Sequence, residues 1–132
     1  MNHSETVQRI YDAFSRGDIA TILGYIAEDV DWEYGVVSTD VPWLQHRSGR
    51  AEVPAFFATL QALDFHAFTP TRILGSGSVV VALIDLDATV RATGQRIIEA
   101  DEVHIWHFNE AGQVVRFRHR VDTHQQWAAY RG

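Results

Sequence analysis

Apolar positions along the first third of the chain fall at helical spacing. Val7, Ile10, Tyr11 and Phe14 follow the i, i+3, i+4, i+7 rule of one buried helix face, with Asn2 or Ser4 as its cap and Gly17 as its stop. Asp18 caps a second short helix carrying Ile19, Ile22, Leu23 and Ile26. The pattern then becomes strand-like from Val30 to Tyr34 and loses any period between Gly35 and Gly49, where Pro42, Trp43, Leu44 and His46 lie. A loop of that length bearing a Trp is expected to cover something. A third helix is predicted from Arg50 to Leu63 with Val53, Phe56, Phe57 and Leu60 inward; Pro54 falls in its first turn, where amides lack partners. From residue 65 the pattern predicts a meander: strands over 65–74, 78–92, 96–108 and 113–121, then a short helix or tail over 122–130. The expected fold is a single α+β domain over 1–132. Its three helices of the N-terminal half pack on one face of a curved, mostly antiparallel sheet.

Composition narrows the chemistry. The chain has 132 residues, 46 % of them hydrophobic, enough to bury a core of one domain. A net charge of −6 gives no electrostatic basis for gripping nucleic acid or an anionic membrane. No run approaches the roughly 18 apolar residues of a membrane span. The first six residues have neither the basic nor the apolar region of a signal peptide, so a cytoplasmic domain is expected. The absence of cysteine removes disulfides, thiol catalysis and zinc–thiolate sites. Chemistry is left to histidine and carboxylates.

Strand alternation predicts which of these face the pocket. In 113–122 the odd set, Gln113, Val115, Phe117, His119 and Val121, is the apolar one, so His119 points inward and Arg116, Arg118 and Arg120 face water. A four-residue turn at Asn109–Gly112 pairs Phe108 with Gln113 and therefore Glu102 with His119; the inner face becomes Ala100, Glu102, His104, Trp106 and Phe108. A two-residue turn at Thr93-Gly94 sets Asp85 opposite Glu102 and yields a row of Asp85, Glu102 and His119. One extra residue in that turn would reverse the faces: Val80, Ala82, Ile84, Leu86, Ala88 and Val90 would turn inward and Asp85 and Asp87 outward. Carboxylates sharing a partly dry site have separated pKa values, and an imidazole beside them is fixed in one tautomer. That is the equipment of general acid–base catalysis. His104 and His107 sit on opposite faces of their strand, which argues against a metal site, and no cofactor is expected. His46 and His66 are expected at the surface or near the pocket mouth.

Several strings together resemble the SnoaL-like branch of the nuclear-transport-factor-2-like superfamily. They are Arg16-Gly17-Asp18, the run Ala27 to Trp32, Gly49-Arg50 leading to Phe56-Phe57, Val103 to Trp106, Gly112 to Phe117, and Val121-Asp122-Thr123. The resemblance covers nearly the whole chain and implies a cone-shaped domain with an apolar pocket between sheet and helices, and a homodimer through the outer sheet face. It also implies a small apolar or cyclic ligand, turned over without cofactor or metal by an isomerase, cyclase, hydrolase or dehydratase type of reaction. His119 stands where SnoaL-like cyclases and limonene-epoxide-hydrolase-like enzymes carry an acid. Asp85-Leu86-Asp87 stands where the hydrolases have an Arg-x-Asp pair, so their residues are not intact. Tyr34, Ile10 and His104 replace the three catalytic residues of ketosteroid isomerases, which argues against that activity. The candidate catalytic set is His119, Glu102, Asp85 and His104, with Trp32, Tyr34, Trp43, Trp106 and Phe117 to grip the substrate. The competing reading is a non-catalytic ligand-binding or subunit-interaction module in which these polar groups form a satisfied core network.

Overall fold

Helix α1 (His3–Ser15) begins where the Asn2 side chain accepts a hydrogen bond from the Glu5 amide at 2.8 Å, and it ends at Gly17, whose φ of 69° is left-handed. Asp18 caps α2 (Ile19–Gly24) through the Thr21 amide. These details come from a computed structural model that describes residues 1–33 and 39–132. Helix α3 (Val53–Thr59) carries Pro54 in its first turn and is extended by single 3-10 turns at each end, so the expected third helix forms with tightened termini. Helix α4 (Thr123–Arg131) is capped by Asp122.

Among the described residues six strands form one open sheet in the order β2-β1-β6-β5-β4-β3. They are β1 (Ile26–Trp32), β2 (Arg47–Ser48), β3 (Leu63–Ser76), β4 (Val79–Val90), β5 (Arg96–Phe108) and β6 (Val114–Arg120). Among the described residues only β1 and β6 pair in parallel, and the rest are antiparallel. The α+β fold with helices on a curved sheet is therefore the observed one. Gly75, near the end of β3, lies so close to α1 that a Cβ there would stand 2.6 Å from Ser4 Oγ.

The β4 faces are reversed from the favoured register. Thr89 pairs with Arg96 and Ile84 with Glu102, so Val80, Ala82, Ile84, Leu86, Ala88 and Val90 are all buried in the core. The turn between β4 and β5 is longer than two residues, with the Val90 amide donating to the Gln95 carbonyl. A bulge then follows where Glu99 to Glu102 opposes Leu86 to Ile84, and Asp101 within it has a φ of 59°. That extra residue switches the β5 alternation. Ile97 is buried before it, Glu102, His104, Trp106 and Phe108 after it, and Ala100 is exposed rather than inward. The β6 register also differs. Phe108 pairs with Val114, a bulge follows, and His104 rather than Glu102 stands opposite His119. Arg118 is not part of a solvated stripe: its guanidinium donates to Asp31 Oδ2 at 2.7 Å and ties β6 to β1.

Candidate active site

Between the concave sheet face and the helices lies a cavity of about 70 Å³. Its walls are mostly rings, from Tyr11 and Phe14 of α1, Trp32 of β1, Trp43, Phe56 and Phe57, and Trp106 and Phe117 of the sheet. Polar groups enter it in two sets.

His119 forms the first set with Glu33. The Glu33 amide donates to the Phe117 carbonyl at 2.8 Å, which holds the residue against β6 just past the end of β1. Its φ of 50° breaks the strand alternation, so Trp32 and Glu33 are consecutive yet both buried. The Glu33 carboxylate accepts the His119 backbone N–H at 2.9 Å and contacts its Nδ1. Burial disfavours charge on both side chains. The mutual hydrogen bond and attraction outweigh it, so the His119 pKa is raised and the Glu33 pKa lowered. The pairing thus favours imidazolium on His119 and carboxylate on Glu33. Nδ1 being taken, His119 Nε2 has no partner among the described residues, and His119 is one of the cavity walls.

The second set is a continuous chain. Trp106 Nε1 donates to the Tyr11 hydroxyl at 3.1 Å, and that hydroxyl lies 2.7 Å from His104 Nδ1. His104 Nε2 lies 2.8 Å from Glu102 Oε2. Because Glu102 can only accept, Nε2 carries the proton, Nδ1 is the acceptor and Tyr11 donates to it. Burial lowers the His104 pKa against the opposing pull of Glu102, and the imidazole is neutral. The carboxyl of Glu102 stays ionised despite burial, chiefly because His104 donates to it. Burial also raises the Tyr11 pKa, so the phenol keeps its proton. Gln126 of α4 closes the chain: its amide donates to Glu102 Oε1 at 3.3 Å and Glu99 Oε1 at 2.7 Å, while its oxygen accepts the Trp43 indole N–H at 2.7 Å.

The two histidine rings stand face to edge, 5.8 Å between centroids. Of the sequence-derived set, the fold brings His119, Glu102, His104, Trp32, Trp43, Trp106 and Phe117 to one cavity. Asp85 is not among them. It is exposed on the outer face, where it accepts the Asp101 amide at 3.2 Å, because the bulge between Glu99 and Glu102 reverses the pairing of its strand. The expected row of Asp85, Glu102 and His119 does not form, and Glu33 takes the place beside His119. Tyr34 lies outside the described residues. His46 and His66 are exposed, bonded to Asp31 and Thr89. Among the described residues, no three acidic or histidine side chains are placed to hold a metal ion, and no helix is long and apolar enough to cross a membrane.

Glu33, Tyr11 and Gln126 were not singled out by the sequence patterns. Glu33 was hidden by its left-handed backbone and Tyr11 by serving as one position of an apolar helix stripe. For Gln126 no local signal exists. It is a polar residue on a short polar helix.

The sequence profile of the SnoaL-like domain matches residues 7–117. The chain belongs to the SnoaL-like domain family. Comparison with curated proteins finds no match. Among solved structures, an NTF2-like protein of unknown function from Burkholderia pseudomallei superposes with a TM-score of 0.86 at 25% identity over 100% of both chains. TerC, co-crystallised with polyporic acid, superposes with a TM-score of 0.82 at 22% identity over 98% of both chains. A candidate polyketide cyclase from Xanthomonas campestris gives 0.72 at 20% identity, covering 97% of this chain and 96% of its own. At these identities the last two speak for the SnoaL-like fold alone.

Proposed function

We propose that this SnoaL-like protein is a cofactor-independent acid–base enzyme of the cyclase or isomerase type, acting on a small, largely apolar cyclic carbonyl compound. The observation that carries the reading is the His119–Glu33 pair, set in a ring-lined cavity with Nε2 unpartnered. A buried imidazolium with one N–H left over is a proton donor for a substrate carbonyl oxygen. As an enolate forms, Nε2 gives its proton to that oxygen, and the Glu33 carboxylate holds the imidazole in place. The proton leaving the carbon goes to the Tyr11 oxygen while Tyr11 passes its own to His104 Nδ1, and Glu102 stabilises the resulting imidazolium. His104 thus acts behind Tyr11 rather than on the substrate. The opposite protonation states of the two histidines suit this division into acid and relay. Trp32, Trp43, Trp106 and Phe117 supply the shape of the site. The candidate cyclase and the polyporic-acid complex among the structural relatives favour a cyclic ligand.

Exchange of the α-protons of α-tetralone in deuterated buffer, followed by NMR, tests the reading without knowledge of the natural substrate. The protein should accelerate exchange, and His119→Gln should reduce that acceleration at least a hundredfold. Binding of α-tetralone with no acceleration would favour the non-catalytic, ligand-binding alternative.

The outer sheet face favours a homodimer as the assembly. Its Val79, Val81, Leu83, Val103 and Ile105 are only half-buried, and Leu74 beside them is 56% exposed. A contiguous apolar surface of this kind is usually covered by a partner.

A further inference from the structure

Glutamine is seldom fully buried, yet Gln126 of α4 is 2% exposed. Its amide is bonded at both ends. The oxygen accepts the Trp43 indole N–H at 2.7 Å, and the nitrogen donates to Glu99 Oε1 at 2.7 Å and Glu102 Oε1 at 3.3 Å. An indole can only donate, so Trp43 fixes which end of the amide faces the carboxyls. Those carboxyls meet because the strand that carries them is irregular. Residues 99 and 102 of a regular strand point to opposite faces. The bulge in β5, with Asp101 at a φ of 59°, turns both inward, Glu102 buried and Glu99 half-buried.

Two carboxyls in a partly dry site settle by holding one proton between them unless other donors satisfy both. Glu102 has His104 on Oε2 and Gln126 on Oε1, while Glu99 has Gln126 on Oε1 and the Asp122 amide on Oε2. The Gln126 amide is the donor common to both. Burial raises the Glu99 pKa against that hydrogen bond, and the Glu102 charge adds to the rise. Burial also opposes charge on Glu102, but its hydrogen bonds, that of His104 first, outweigh it and the pKa is lowered. Also facing the two are His119 of β6, Tyr11 of α1 and the Asp122 carboxyl at the start of α4. Resting on the reading of Tyr11, His104 and Glu102 as a proton relay, we infer that Gln126 is its positioning residue. One neutral amide from α4 bridges two carboxyls that would otherwise share a proton, and so keeps Glu102 turned to His104 as an acceptor.

Gln126→Glu tests the inference, because a glutamate keeps the shape and an acceptor for Trp43 while removing the amide donor. In carbon NMR the Glu102 carboxyl should titrate at higher pH in the variant than in the wild type. Exchange of the α-tetralone protons should fall about tenfold at neutral pH, the loss of one hydrogen bond. Its acid limb should move to higher pH, since the relay needs Glu102 ionised. Adding Glu99→Gln to that variant puts an amide back between two carboxyls and should restore both the titration and the rate. A side chain that merely docked α4 would give no such recovery. Glu99→Gln alone leaves Gln126 in place and should move the Glu102 titration to lower pH, a readout that holds even if Gln126→Glu does not fold. A Glu102 titration unmoved in either single variant, or not restored in the double variant, would overturn the assignment. The titrations need no substrate. Wild-type protein that fails to exchange α-tetralone while they move as stated would strike the enzymatic reading and keep Gln126 as the residue that holds Glu102.

Discussion

His104 and His119 face one another across β5 and β6, and each is held by a different carboxylate in a different charge state. Their linkage to stability has opposite signs. The folded pKa of His119 is raised above its usual 6.5, so its contribution is complete below about pH 6.5 and is lost as pH rises through the folded value. His104 is lowered, so its contribution is complete above about pH 6.5 and is lost as pH falls through its folded value. Glu33, lowered from 4.5, adds a further loss in acid as pH falls through its own folded value. Urea midpoints measured against pH should therefore peak near pH 6.5. Glu33→Gln should flatten the alkaline limb, because His119 no longer gains a charged partner; an unchanged limb would contradict the pairing. Tyr11→Phe leaves Trp106 Nε1 and His104 Nδ1 without their shared hydroxyl and should cost about 1–3 kcal/mol in urea unfolding. A loss below about 0.5 kcal/mol would mean that the chain of hydrogen bonds is not formed.

At the scale of elements, helix α4 reaches the site through Gln126 and through Tyr130, edge-on to Trp43, while Gln125 bonds both backbone groups of Ile98. Gln126→Leu should release the Trp43 indole, moving its N–H resonance upfield, and expose α4 to proteolysis. Retention of both the resonance and the protection would show that α4 docks without it. The helices were legible in the sequence because their apolar spacing and caps are local: Asn2, Asp18 and Asp122 all cap as their positions suggest. The inward placement of His119 and His104 followed from strand parity alone. The neighbours of those residues did not, since register depends on turns and bulges that alternation does not encode. Asp101 and Glu33, both with positive φ and neither a glycine, are two places where parity breaks. One turned Asp85 out of the site, and the other brought Glu33 in. Both departures lie at the site itself, where local rules are most often overridden.

Taken whole, the molecule is a cone whose inner sheet face is committed to the cavity and whose outer face is left apolar between arginines of β3 and β6. Val81 pairs with Ile105 at the middle of that outer face. If two copies meet there, Val81→Glu should convert a dimer to a monomer in sedimentation velocity without changing the circular dichroism of the fold. A wild-type protein that sediments as a monomer at micromolar concentration would remove the dimer from the account. The central claim concerns the cavity, and the titration of the His119 imidazole by NMR tests it most directly. The account predicts a midpoint above 6.5 in the free protein, a fall below 6.5 in Glu33→Gln, and perturbation of Nε2 when α-tetralone is added. A His119 that titrates below 6.5 in the wild type and ignores the ligand would contradict it.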